Sequence, residues 1–377
     1  MQVVTSAWDV VSAFLIFIAG FLLAIPLSRW FEIRQRRVFF IYIWHTLFAM
    51  LNMAYSIKYG SDSIGYYDRS LLSGNVLAVG TEFVTSFTSV LTGYLKLSYL
   101  GAYLVFNVLG YVGLVAFYAS LRQATLGKPI IWRRVAFLII LLPSFSFWSS
   151  AISKDAFSFM SCGLALWASL SIRRRSWVLI LAIGLMFLVR PHIAALMVTA
   201  GAASLLFTSN ISILQRLIIG SIALVGALAV VPFAMSYTGF EDGASSAEVV
   251  EFVERRQGYQ DGGGGINISA MSPPMQLFTY LFRPFPFEAH NATAFAASLE
   301  NMLLLALLLV GIFRVVRSAQ LSLSGEKMFL WIYALSTWAV LAVSTANLGI
   351  SVRQKWMFVP ILIYLALSAV RPARRGG

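Results

Sequence analysis

Carboxylates and bases stand together in the short polar breaks of an otherwise apolar chain. Asp62 and Asp68 lie in Lys58-Tyr-Gly-Ser-Asp62-Ser-Ile-Gly-Tyr66-Tyr67-Asp68-Arg69, and Lys154-Asp155 follows Phe147-Trp148-Ser149-Ser150. Further along come Arg190-Pro191-His192, then Arg283-Pro284-Phe285-Pro286-Phe287-Glu288-Ala289-His290, then Arg353 with Lys355 two residues on. Separated cations of this kind suit an anion: guanidinium offers planar paired donors to phosphate or pyrophosphate, and lysine a point charge. Transfer of a group from a phosphate to a hydroxyl needs a base for the acceptor proton and cations for the departing phosphate. Asp62, in its Gly- and Tyr-rich turn, is the better candidate base, with Asp68, Asp155 and Glu288 as further carboxylates. Lys154, Arg190, His192, Arg283, His290 and Arg353 are candidates for holding the phosphate. Each has a plainer reading beside it. Asp62 and Asp68 suit a solvated loop, Lys154 and Asp155 a solvated pair, and Arg190 and Arg353 long side chains reaching out of an apolar layer.

The elements that must position these groups follow from composition. Apolar residues make up 59% of the chain and charged residues 11%, against roughly 45–50% and 25% in soluble domains. The sequence therefore reads as an all-α, polytopic membrane bundle. Its net charge of +13 would suit nucleic acid in a soluble protein. Here the basic residues instead fall in alternate loops, around Arg34–Arg37, Arg122–Arg134, Arg173–Arg175, Arg314–Lys327 and Arg371–Arg375. Among the acids only Glu32 and Glu326 join them, which is the positive-inside pattern. Nucleic acid is therefore excluded as a partner, and the lipid bilayer is expected as the surroundings. Cys162 is the single cysteine, so no intrachain disulfide can form, and three histidines so scattered announce no metal. No cofactor is called for, although a divalent metal is compatible with the chemistry.

Apolar windows able to cross a hydrocarbon layer of roughly 30 Å run from Trp8 to Leu27, Val38 to Ile57, Leu100 to Leu121, Val135 to Ser150, Ala156 to Ile172, Trp177 to Val189, Ile193 to Phe207, Leu217 to Met235, Asn301 to Phe313, Met328 to Val343 and Trp356 to Val370. About eleven spans result, forming a single transmembrane domain over 1–377 with the N-terminus outside and the basic C-terminus in the cytoplasm. Residues 58–99 make the first long outer loop, with Thr81 to Leu95 as an interfacial helix carrying Phe83, Phe87 and Leu91 at helical spacing. Residues 236–300 make a large outer loop containing Gly262 to Gly265, expected to act as a mobile lid. With this topology every candidate residue faces outward. The membrane midplane is nearly free of polar groups, His45 excepted, and that favours surface chemistry over passage of a solute.

The combination of Gly-Ser-Asp62-Ser-Ile-Gly-Tyr-Tyr, Phe147-Trp148-Ser-Ser-Ala-Ile-Ser-Lys154-Asp155, Arg190-Pro-His192 and Arg283-Pro-Phe-Pro-Phe-Glu288 resembles bacterial integral-membrane glycosyltransferases of the GT-C type and the polysaccharide polymerases of cell-envelope synthesis. What the resemblance implies is a helical enzyme of the bacterial inner membrane with an extracytoplasmic site. Its donor would be a sugar on polyprenyl phosphate or diphosphate, and its acceptor a glycan or lipid-linked sugar. The family's outward-loop acid maps to Asp62, and its phosphate-gripping bases map to Lys154, Arg190, Arg283 and Arg353. Two departures stand out: the acidic loop follows the second span rather than the first, and no soluble C-terminal domain follows. A lipid-linked-oligosaccharide flippase and a membrane acyltransferase using His192 or His290 are the alternative classes.

Overall fold

A computed structural model describes residues 3–72, 78–206, 212–214, 217, 220–221, 265–268, 270–318 and 325–370. The eighth apolar window, Leu217 to Met235, lies almost wholly outside the described residues. So does the large outer loop as far as Gly264, with Glu248, Glu251, Glu254, Arg255, Arg256 and nearly all of the glycine run.

The described chain is helical, and its contacts divide it into two compact units, one built from residues 1–191 and the other from 192–371. In the first, α1 (Ala7–Trp30) opens on a capping box: Ser6 Oγ accepts from the Asp9 amide at 3.2 Å, and the Asp9 carboxylate accepts from the Ser6 amide at 3.0 Å. There follow α2 (Gln35–Tyr59), α3 (Asp62–Leu72), α4 (Thr81–Gly93), α5 (Tyr99–Ala124), α6 (Ile130–Ile140), α7 (Pro143–Ser149), α8 (Lys154–Ser169) and α9 (Ile172–Val189). The second unit holds α10 (Pro191–Leu206), whose first residue closes the first unit, then α11 (Pro273–Phe282), α12 (Ala292–Ser318), α13 (Gly325–Ser344), α14 (Leu348–Gln354) and α15 (Val359–Ser368).

Six of these stretches are long and apolar enough to cross a membrane: α1, α2, α5, Ile130–Ser149, Ala292–Arg314 and Lys327–Ser344. A seventh is added if Leu348–Met357 and Val359–Ser368, bent by 58°, count as one. Phe14, Leu15 and Leu22 of α1 are more than half exposed. Such a surface suits lipid and would be costly in water. The chain is thus a helical membrane protein. The tally is smaller than the sequence windows suggest, for identifiable reasons. α8 has 16 residues and is about 24 Å long, shorter than those six, and is buried from Asp155 to Ser169. α9 begins among Arg173–Arg175 and is broken at Arg175, whose φ of −124° and ψ of 17° are not helical.

The first unit is organised around α5, whose Tyr99, Tyr103, Phe106, Tyr111, Phe117 and Tyr118 are fully buried. α5 meets α8 at two glycines: a Cβ on Gly163 would stand 2.3 Å from the Gly113 carbonyl oxygen, and one on Gly113 would stand 2.6 Å from Met160 Cα. Any side chain there would force the backbones apart. Where α1 ends, Trp30 stacks on Trp177 at 5.7 Å and meets Trp167 edge-on at 5.6 Å, while the Arg175 guanidinium sits 3.8 Å over the Trp167 ring.

One expectation about the interior changes. The α2–α5 seam carries buried Thr46, Asn52, Ser56 and Asn107 besides His45. Asn107 donates to Thr46 Oγ1 at 2.9 Å, Asn52 donates to the Phe147 carbonyl at 2.8 Å, and Tyr103 donates to Asn52 Oδ1. His45, Asn52 and Ser56 recur at helical spacing on one face of α2, and that period was the available signal.

In the second unit α13 ties to α11 through Trp338 Nε1, which donates to the Leu277 carbonyl at 3.0 Å. Gly311 of α12 lets Ala366 of α15 approach so closely that a Cβ would lie 2.8 Å from the alanine methyl.

Candidate functional site

The best-assembled cluster in the first unit is centred on Tyr66. Asp62 starts α3, so it occupies a helical first turn rather than a turn between spans, and its carboxylate is exposed. One helical turn later Tyr66 points inward and is 5% exposed. Burial first, then the negative charges of Asp62 and Asp155, raise this phenol above its ordinary value, while a hydrogen bond to Thr81 and the Arg190 charge pull the other way. All four groups therefore act on one hydroxyl. Thr81, the first residue of α4, accepts a hydrogen bond from Lys154 Nζ at 3.0 Å. The loop ahead of α4 is pinned to the end of α9, because the Gly80 amide donates to the Leu188 carbonyl at 2.7 Å. Gly80 has a φ of +79°, a conformation that favours glycine.

α8 supplies the other half. Its N-cap Ser153 accepts from the Asp155 amide at 3.2 Å, and this places Lys154 and Asp155 in the first turn. Asp155 Oδ1 accepts from Arg190 Nη2 at 2.7 Å, and Arg190 Nε donates to Ser158 Oγ at 3.2 Å. Arg190 sits between α9 and α10 with a φ of −145° and a ψ of 74°, and its own amide donates to the Met186 carbonyl. Arg190-Pro191 is thus a break between two helices. Asp155 and Arg190 are 6% and 8% exposed, so the pair is a buried ion pair and the solvated alternative does not hold. Asp155 thereby orients Arg190.

Asp68 lies on α3 but faces solvent, with its charge acting on Tyr67 and Tyr99 rather than on Tyr66. Arg69 lies over the Tyr66 ring at 5.2 Å. α4 matches the helix expected from Thr81, and Phe83 and Phe87 each meet Phe157 in a T-shaped ring contact.

The second unit builds a different cluster. Arg283 ends α11, and its Nε and Nη2 both reach Glu288, with Nε to Oε1 at 2.9 Å; the Phe285 amide adds a bond to Oε2 at 2.8 Å. Burial alone would raise the Glu288 carboxyl, but the Arg283 hydrogen bonds, the Phe285 amide and the Arg283 charge outweigh it and hold the group below its ordinary value. Behind this arm Asn301 donates to the Pro284 carbonyl at 3.1 Å and accepts from Lys355 Nζ. Lys355 is 1% exposed, and buried Glu300 acts on it electrostatically. His290 is exposed, His192 is half-buried in the first turn of α10, and Arg353 is half-buried on α14. α12 begins at Ala292, nine residues before the expected span start at Asn301, so Glu300 belongs to a helix rather than to the loop.

The residues that sequence reasoning passed over are Tyr66, Thr81 and Ser158 in one unit, and Glu300 and Asn301, the partners of Lys355, in the other. Tyr66 and Ser158 stand four residues after Asp62 and Lys154, and helical spacing would have found them. Among the described residues no three His, Cys, Asp or Glu side chains gather as metal ligands. Comparison with protein-family models, curated proteins and solved structures finds no match to this chain.

Proposed function

We propose that this protein is an integral-membrane glycosyltransferase that transfers or polymerises sugars from a polyprenyl-phosphate or polyprenyl-diphosphate donor. The acceptor is a glycan or lipid-linked sugar. On this proposal the chain lies in the bacterial inner membrane with about eleven spans, its N-terminus outside, its C-terminus in the cytoplasm and its site extracytoplasmic.

The observation that carries the reading is the group around Tyr66: an exposed carboxylate, Asp62, beside two anchored cations, Lys154 and Arg190. Asp62 takes the proton of the acceptor hydroxyl, and that oxygen forms a bond to the anomeric carbon of the donor sugar. The bond from that carbon to the phosphate oxygen breaks, and the electron pair leaves with the phosphate. Lys154 and Arg190 stabilise the charge that grows there. Asp155 and Ser158 keep the Arg190 guanidinium in place before the donor arrives.

The test is transfer in proteoliposomes from a labelled polyprenyl-phosphate sugar to a soluble glycan acceptor. Wild-type protein should turn over, and Lys154→Ala should lose most of the turnover. Equal turnover in wild type and K154A would overturn the assignment.

A flippase is the second reading, because the polar seam of His45, Asn52 and Asn107 between α2 and α5 is what a passage through the bilayer would use. Movement of a lipid-linked sugar between leaflets without bond cleavage, lost in Asn107→Leu, would favour it. An acyltransferase fits less well, since Glu288 is committed to Arg283 and His290 stands exposed.

A further inference from the structure

At the other end of the first unit, where α1 passes to α2 and α5 to α6, lies a cleft of about 600 Å³ lined by Arg34, Arg37, Arg122, Arg133 and Arg134, with Glu32 as its one acid. The positive-inside pattern accounts for basic loops, but it does not require five guanidiniums to converge on one hollow. Like charges so placed repel and call for a counter-anion. Two of them are anchored. Arg37 donates to the Tyr118 hydroxyl and lies 5.5 Å over the Phe137 ring, and Arg122 donates to the Glu32 carbonyl. Glu32 holds a φ of +55° there, a region that residues other than glycine seldom adopt. Arg34, Arg133 and Arg134 are exposed, and none of the five arginines is ion-paired among the described residues.

The rest of the lining is apolar, with Leu126, Ile130 and Leu138 each at least 60% exposed. Guanidiniums beside an open aliphatic wall at the ends of membrane-crossing helices match a phosphodiester headgroup with its acyl chains. A free phosphate would use the arginines and leave the wall idle.

We infer that this cleft binds an anionic phospholipid by its headgroup phosphate, at the end of the first unit opposite Tyr66. The experiment uses the full chain in zwitterionic detergent and measures binding by native mass spectrometry and by thermal shift. Phosphatidylglycerol, phosphatidylcholine and inorganic phosphate serve as three separate probes. Phosphatidylglycerol should bind and stabilise, with the other two giving little shift. R34Q/R133Q/R134Q, which alters only exposed side chains, should weaken binding on the order of a hundredfold, at about fivefold per arginine. R173Q/R174Q, removing like charges from another loop, should leave it unchanged. Three results would each overturn the inference: equal shifts with phosphatidylcholine, full protection by phosphate alone, or undiminished binding in the triple variant. If the triple variant proves unstable, single Arg34→Gln and Arg134→Gln proteins carry the same test at about fivefold each.

Discussion

Asp155 is committed to Arg190, so the proton-accepting role in the proposed reaction falls to Asp62, the exposed carboxylate of the group. Asp62→Asn keeps shape and removes basicity. Turnover is expected to fall by on the order of 10²–10⁴ while the melting temperature stays put, and a normal rate would return Asp62 to the status of a surface residue. Arg190→Ala behaves differently, since it strands a buried carboxylate. A loss of about 3–5 kcal/mol is expected for breaking one side of such a pair, and the double variant Asp155→Ala/Arg190→Ala should recover part of it in thermal melts. Glu288 supplies a pH test. Its carboxyl is held below the ordinary value of 4.5, so the stability it lends is full above that value and disappears as pH falls through the lower folded value. The melting difference between wild type and Glu288→Gln should therefore shrink as the buffer is taken from about pH 6 to below about pH 4. A difference that stayed constant would show that the Arg283 bond contributes nothing to folding.

At the scale of elements, the α5–α8 contact admits no side chain at Gly163. Gly163→Ala should cost about 1–3 kcal/mol by overpacking. Gly65→Ala, in α3 with nothing within 4 Å of its added carbon, should be neutral or slightly stabilising; equal melting of the two variants would mean that the helices can separate freely. The same scale shows what could be read from residues alone. The long apolar runs announced α1, α2 and α5 within a few residues, and the Phe83/Phe87 period announced α4. Asp62–Leu72 reads as a loop because Gly65, two tyrosines and two aspartates weaken every local helix signal, whereas inward Tyr66, packed in the interior, is what holds α3. Ala156–Ile172 reads as a span because most of it is apolar, and α8 is surrounded by protein. Apolarity cannot distinguish a helix wrapped by protein from one wrapped by lipid. Lys154, Asp155 and Arg190 were legible as unusual charges at helix ends, but the pairing of Asp155 with Arg190, 35 positions apart, depends on tertiary packing that no local pattern encodes.

For the molecule as a whole, the orientation proposed from the alternation of basic loops can be checked by labelling. Cys162 is fully buried, so the native chain offers little background to a membrane-impermeant maleimide. Ser61→Cys should label from outside intact cells, and Gln35→Cys only after the membrane is opened; the reverse pattern would invert the proposed topology. The indoles of Trp30, Trp167 and Trp177, gathered at the far end of α1, have a further consequence. Rings this close share excitation, and the Arg175 guanidinium resting on one of them perturbs its emission. Ultraviolet fluorescence from this trio would change as bound lipid tightens the arginine-rich end of the first unit, which gives an optical gauge of lipid arrival that needs no attached dye.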